Sequence, residues 1–141
     1  MRFVESYTSR EPALGGSGPN VPMNEEIAKA LESDRVIDIT TVGRKSGEPR
    51  RREIWFCNID GSLYLSGIPG KRGWYANMLA NPAFTFHLKE SVEADMEATA
   101  IVVTDPDERR QVIPTIAERY GATAPVEEWV ARSPLVRVEL G

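Results

Sequence analysis

The stretch that decides the fold is residues 36–67, VIDITTVGRKSGEPRRREIWFCNIDGSLYLSG. It begins with a β-branched run at 36–42, turns at a segment rich in glycine and proline, and resumes as a strand at 50–58. The Asp60-Gly61 pair then signals a hairpin with a return strand at 62–67. Three consecutive strands joined by tight turns predict an antiparallel meander.

Alternating segments downstream extend this sheet. Apolar and polar residues alternate in 83–89, in 94–103 and in 135–140, and the last of these is predicted to close the sheet. Long strands with one solvated face fit an antiparallel sheet curled into a small barrel. The predicted class is therefore α+β and mostly antiparallel.

Short helices are predicted to flank this sheet. They span 25–33, 74–80, 105–120 and 127–132. Asn24 and Asp105 are suited to cap two of them, and Pro82 ends a third, because proline disfavours helix in the residue before it. Pro114 is predicted to bend or interrupt the longest helix.

Length and composition indicate one globular domain at 23–141, preceded by a flexible arm at 1–22 that contains Gly15-Gly16-Ser17-Gly18-Pro19. No apolar run approaches the roughly 20 residues that span a bilayer, and the charged N-terminus lacks the apolar segment of a signal peptide. We therefore expect a cytoplasmic protein with no integral membrane segment.

The chain holds one cysteine, Cys57, and one histidine, His87. These are too few for a disulfide framework or a structural zinc site, so no metal site is predicted. His87 alternates with Phe86 and Leu88, which predicts a position on the polar face in a structural or surface role. Cys57 is expected to be a small packed residue.

The net charge of −4 conceals an uneven distribution. Residues 35–72 hold 8 Lys and Arg against 4 Asp and Glu, whereas residues 89–141 hold 6 against 11. A basic cluster in an acidic protein favours a local anion site over nucleic-acid binding, because the remaining surface would repel a polyanion. The alternative is a solvated basic loop.

Two motifs carry the chemistry. The turn at 43–50 combines main-chain N–H groups with side-chain donors, and arginine offers a bidentate fork for phosphate or carboxylate. The segment at 70–77 places Lys71 ahead of Trp74, whose ring can lie beside a planar ligand. The alternative for Trp74 is an ordinary core contact with Met78, one helical turn later.

The two motifs, Gly43-Arg44-Lys45-Ser46-Gly47-Glu48-Pro49-Arg50 and Trp74-Tyr75-Ala76-Asn77, together with Ala80-Asn81-Pro82, resemble the deazaflavin-dependent nitroreductase family. Members are small split β-barrel proteins, related at the level of fold to flavin-binding pyridoxamine-phosphate-oxidase-like reductases. The resemblance covers roughly residues 34–107.

The resemblance implies that the chain binds reduced coenzyme F420, a deazaflavin with a phosphate and glutamate tail. It assigns the phosphate and tail to Arg44, Lys45, Ser46 and Arg50, assisted by Lys71. It assigns the deazaflavin ring to Trp55 and to Leu65-Ser66-Gly67-Ile68, supported by Trp74 and Asn77. The implied cofactor-binding residues are Arg44, Lys45, Ser46, Gly47, Arg50, Trp55, Ser66, Gly67, Ile68, Lys71, Trp74 and Asn77.

The implied reaction transfers a hydride from C5 of reduced F420 to a quinone, a nitro compound or an activated alkene, with no required catalytic side chain. Tyr120, Tyr75, Ser66 or water are the candidates for proton delivery. FMN is the alternative cofactor, and a non-catalytic binding protein for a fatty acid, haem or stored cofactor is the alternative function. The expected partner is a small-molecule electron acceptor, and the protein is expected to be a monomer or homodimer.

Overall fold

The structure is a computed structural model that describes residues 24–141, so the predicted arm at 1–22 lies outside the described residues. Each element predicted within 24–141 is present, with ends that differ by no more than a residue. The strands are β1 Val36–Val42, β2 Pro49–Ile59, β3 Ser62–Ser66, β4 Ala83–Leu88, β5 Ala94–Val102 and β6 Leu135–Leu140. The helices are α1 Glu25–Ser33, α2 Gly73–Ala80, α3 Pro106–Arg119 and α4 Val126–Arg132.

The strands close into a barrel in the order β1-β2-β3-β6-β5-β4, and all neighbours are antiparallel. The predicted meander of β1, β2 and β3 is confirmed, and its second turn places Asp60 and Gly61 at φ 53° and 87°, the left-handed conformation of a tight hairpin. β6 lies between β3 and β5, as predicted for the closing strand.

Two apolar clusters hold the barrel together. Inward-facing side chains such as Ile39, Leu65 and Phe86 fill its interior and are fully buried. A second cluster, which includes Tyr64 and Ile113, lies on the outer face of β2, β3 and β6 beneath α3 and α4. The part of the sheet formed by β2, β3 and β6 is therefore covered on its inner and its outer face. The outer face of β1, β4 and β5 carries polar side chains.

The predicted helix caps are present. The side chains of Asn24 and Asp105 accept main-chain N–H bonds from the residue three positions on, at 2.8 and 3.0 Å. The interruption predicted as one outcome at Pro114 does not occur, because α3 is assigned as one helix through that position. Proline removes one donor, but the buried Ile113 and Ile116 keep this helix packed against the sheet.

His87 lies on the outer face, as the alternation predicted, but its side chain is buried there. The residue is 6% exposed, and its two ring nitrogens lie 2.7 Å from Thr40 Oγ1 and 2.7 Å from Asp95 Oδ1. Cys57 is packed in the outer cluster, and burial raises the pKa of its thiol. Both residues are structural. No helix within 24–141 has the length and apolar character to span a bilayer.

Candidate functional site

A cleft of about 330 Å³ opens where the β1–β2 turn meets the first turn of α2, and we call it the turn cleft. It brings together side chains from both sequence motifs, which are separated by about thirty residues. The residues that line it are Thr41, Gly43, Arg44, Lys45, Ser46, Arg50, Arg52, Gly73, Trp74 and Asn77. Six of these belong to the predicted site: four from the turn and two from the helix.

The β1–β2 turn is fixed by its own hydrogen bonds. Gly43 N–H donates to the carbonyl of Glu48 and Gly47 N–H donates to the carbonyl of Gly43, both at 2.8 Å. Gly47 adopts φ 72°, a conformation that glycine enters without steric cost. Ser46 Oγ accepts from the N–H of Glu48 at 3.1 Å, which leaves its own proton to donate. The turn therefore presents donors from a rigid frame.

Asn77 fastens α2 to this turn. It is buried, its Oδ1 accepts from the main-chain N–H of Arg44 at 3.0 Å, and its Nδ2 donates to Thr41 Oγ1 at 3.1 Å. Arg44 Nη1 also lies 3.3 Å from the same oxygen. The resemblance implies that Asn77 supports the cofactor ring, and in the structure Asn77 also positions Arg44.

Strand alternation separates the three consecutive arginines of β2. Arg50 and Arg52 line the turn cleft, whereas Arg51 Nε bonds to Asp38 Oδ2 at 3.0 Å on the outer face. The separation of Arg50 from Arg51 is as expected from the period of a strand. Arg52 and Thr41 were absent from the predicted site, although the same alternation places Arg52 on the side of Arg50.

The turn cleft is electropositive. Within residues 24–141 no carboxylate lies within 4.0 Å of the charged groups of Arg44, Lys45, Arg50 or Arg52, and no acidic residue lines the cleft. α2 begins there at Gly73 without a side-chain cap, so its first N–H groups and the positive end of its dipole add to the field. These features suit an anionic ligand.

Lys71 lies in a neighbouring cleft of about 790 Å³, which we call the Lys71 cleft. Arg44 and Gly73 border both clefts. The loop that carries Lys71 is held by Arg72, whose guanidinium donates to the carbonyls of Ile68 and Lys71 at 2.9 and 2.8 Å. The structure therefore places Lys71 beside the turn cleft and not among the residues that line it.

The segment predicted to line the cofactor ring lies near the α4–β6 connection. Ser66 is buried and its Oγ donates to the carbonyl of Pro134 at 2.6 Å. Gly67 is also buried, and a Cβ there would lie 3.4 Å from Arg72 Nε. Ile68 is 55% exposed. None of the three lines the turn cleft as the structure defines it within 24–141.

Trp55 lies on the outer face of β2, opposite in direction to Arg50 and Arg52. Its ring centroid is 5.1 Å from that of Tyr120, and the guanidinium carbon of Arg35 lies 5.2 Å from the same centroid. The structure does not bring Trp55 to the turn cleft, because residue 55 is an odd number of positions from 50 and 52 along one strand.

The three candidate proton donors differ in environment. Burial raises the pKa of Tyr120 to about 12, and its hydroxyl donates to the carbonyl of Ser66 at 3.2 Å. Ser66 Oγ is already committed to Pro134. Tyr75 is half-buried and borders the Lys71 cleft. Tyr75 therefore lies in a cleft that borders the turn cleft.

Comparison with known proteins gives one family and several solved structures. The family described as pyridoxamine 5′-phosphate oxidase matches residues 23–140. A conserved hypothetical protein from Mycobacterium tuberculosis has a TM-score of 0.67 and 24% identity, with 88% of this chain and 84% of that chain covered.

Two further structures carry functional descriptions of their own. A protein described as an F420 reductase has a TM-score of 0.58 and 24% identity, with 86% of this chain and 96% of that chain covered. The haem storage protein HutZ from Vibrio cholerae has a TM-score of 0.62 and 19% identity, with 82% and 88% covered. At these identities the structural matches establish a shared fold, and a shared fold does not fix a function.

Proposed function

The chain belongs to the pyridoxamine 5′-phosphate oxidase family, with the split-barrel fold, and on this basis we propose that it is an oxidoreductase that uses reduced coenzyme F420. Its acceptor is an electron-poor small molecule of the quinone, nitro or activated-alkene class. The family match confirms the broader relation drawn from the sequence. The deazaflavin-dependent branch is our proposal, supported by the resemblance of the two motifs and by a fold shared with an F420 reductase.

The observation that carries the proposal is the set of cations in the turn cleft. Arg44, Lys45, Arg50 and Arg52 converge on one cleft, and within residues 24–141 no carboxylate neutralises them. Like charges held together weaken a fold unless an anion joins them. A ligand with a phosphate and carboxylates, such as the F420 tail, supplies that anion.

The donors present fit such a tail. Arginine forks at 44, 50 and 52 match phosphate and carboxylate oxygens in pairs, and the Ser46 hydroxyl has a proton to donate. Asn77, on α2, holds Arg44 in place before a ligand binds. Arg44 therefore loses less conformational entropy when the ligand binds. Bound reduced F420 supplies a hydride, which with one proton converts a quinone to a hydroquinone.

Turnover tests the proposal most simply. The protein is mixed without oxygen with reduced F420 and menadione, and the return of the oxidised deazaflavin absorbance is followed. We expect oxidation that is proportional to enzyme and saturable in menadione. A protein that binds reduced F420 but does not accelerate its oxidation is a binding protein and contradicts the proposed activity.

FMN is the second candidate cofactor, because the family membership favours a flavin phosphate and the turn cleft suits any phosphate monoester. The same assay with reduced FMN separates the two: turnover with FMN alone overturns the F420 assignment. Haem storage has less support from this chain, since its single histidine uses both ring nitrogens in hydrogen bonds.

A further inference from the structure

We propose that the Lys71 cleft binds the acceptor through an anionic group, so that the enzyme favours acceptors that join a flat apolar body to a carboxylate. The inference rests on the proposed function for the presence of an acceptor, and it adds the chemical class of that acceptor. A volume of about 790 Å³ lies within the range of small-molecule sites. Arg44 and Gly73 border both clefts, so an acceptor here lies next to a ligand in the turn cleft.

Basic side chains line the Lys71 cleft. Lys71 and Arg132 are both at its surface, with Arg132 Nη1 also 3.3 Å from Glu128 Oε2. Arg109 lines the same cleft and is fixed by bonds of 2.7 to 3.1 Å to main-chain carbonyls, which hold its charge in place. No acidic residue lines this cleft within residues 24–141. The field there favours a negatively charged group.

Apolar side chains also line the Lys71 cleft. Leu79 is 57% exposed, which is high for a large aliphatic side chain, and it borders the cleft together with Tyr75 and Pro134. An exposed leucine in the same cleft as a phenol and a proline ring offers apolar surface for a flat hydrophobic body. Basic and apolar groups in one cleft suit a ligand that is both aromatic and anionic, in contrast to a neutral quinone.

The buried hydroxyl of Ser133 is independent support for a ligand in the Lys71 cleft. Ser133 lines the Lys71 cleft and is 3% exposed, and its Oγ has no hydrogen-bond partner among the residues that the structure describes. A buried hydroxyl without a partner destabilises a protein, so such groups are normally hydrogen-bonded. A carboxylate oxygen of the acceptor is a suitable partner.

The test is a titration of the ¹⁵N-labelled protein, free of cofactor, with 4-nitrobenzoate and with its neutral analogue 4-nitrobenzamide. We expect nitrobenzoate to shift the amide signals of Gly70, Gly73 and Ser133, and nitrobenzamide to bind roughly tenfold more weakly, since one charge-assisted contact is lost. Lys71→Ala is expected to weaken nitrobenzoate binding by roughly three- to tenfold, while Arg51→Ala, on the outer face, leaves it unchanged. Equal binding of the acid and the amide overturns the inference.

F420 titrations of the same samples distinguish this inference from the proposed function. F420 binding by the wild type together with equal affinities for acid and amide means that the inference alone is wrong. Nitrobenzoate binding with no F420 binding means that the proposed cofactor is wrong and the aromatic-acid site stands. Loss of F420 affinity in Lys71→Ala, with nitrobenzoate binding unchanged, means that the Lys71 cleft binds the cofactor. That result overturns the inference.

Discussion

Charged side chains are arranged in opposite ways in two regions of the barrel. On the outer face, Asp38 lies between Lys89 Nζ at 2.6 Å and Arg51 Nε at 3.0 Å, and Lys89 also contacts Glu53. In the turn cleft, several cations converge and no carboxylate joins them within the described part of the chain, 24–141. The charges of one region are paired internally, whereas the cations of the other have no carboxylate partner among residues 24–141.

The difference separates charges that serve the fold from charges that serve a ligand. On the outer face, ion pairing lowers the pKa of a carboxyl group. The Lys89 ammonium, together with Arg51, holds the pKa of Asp38 below its usual range. Such partly exposed pairs contribute little to stability, on the order of 1 kcal/mol or less each. The cations of the turn cleft have no such pairs within residues 24–141, and the proposed function assigns them to a ligand.

The largest expected effect comes from two adjacent arginines that belong to the two regions. Arg50→Ala removes a charge-assisted contact to the F420 tail and is expected to raise the Kd for F420 by roughly ten- to a hundredfold. Arg51→Ala, its matched control on the opposite face of β2, is expected to change the Kd less than about twofold. Both constants are measured by quenching of tryptophan fluorescence. Equal effects would mean that a diffuse basic surface, and not the turn cleft, attracts the cofactor.

The next largest effect is predicted for the hydrogen bonds that join α2 to the β1–β2 turn. Asn77→Ala leaves Thr41 Oγ1 and the Arg44 main-chain N–H without their partner, and is expected to lower the free energy of unfolding by about 1–3 kcal/mol. Urea denaturation measures this loss. F420 affinity under conditions where the variant is folded is also expected to fall, because Arg44 is no longer positioned. A variant that keeps full affinity would show that Arg44 needs no such anchor.

The smallest effect is predicted on the outer face and depends on pH. Asp38→Asn removes two ion pairs and is expected to lower stability at pH 7 by less than about 1 kcal/mol, without change in F420 affinity. The folded pKa of Asp38 is lowered, so its contribution is full above the unfolded value and is lost as pH falls through the folded value. Urea denaturation at pH 7 and at pH 3 should therefore show a smaller difference between variant and wild type at the lower pH. A difference that persists unchanged would point to packing as its cause.

The sequence predicted those features that depend on local patterns. The Asp60-Gly61 pair marked the hairpin and capping residues marked the helix starts, and strand alternation is sufficient to separate Arg50 from Arg51. The same alternation could have added Arg52 to the site, because it lies two positions from Arg50 on the same strand. Local periodicity is reliable here because every strand buries its inner face in the barrel.

Features that depend on contacts between distant elements could not be predicted as well from the sequence. The bond from Asn77 to Arg44 depends on how α2 docks against the β1–β2 turn, which no local pattern encodes. The burial of His87 depends on Thr40 and Asp95 from neighbouring strands. The placement of Lys71 in a second cleft follows from the path of a loop held by Arg72.

The central claim is that the turn cleft binds the anionic tail of F420, and side-by-side titration of the wild type with F420 and with FMN tests it most directly. Trp74 lines this cleft, so its fluorescence should report occupancy. The account predicts saturable quenching at micromolar F420 and binding of FMN that is weaker by roughly tenfold or more, since FMN lacks the glutamate carboxylates. Saturable quenching by FMN without a response to F420, or no saturable response to either, would contradict it.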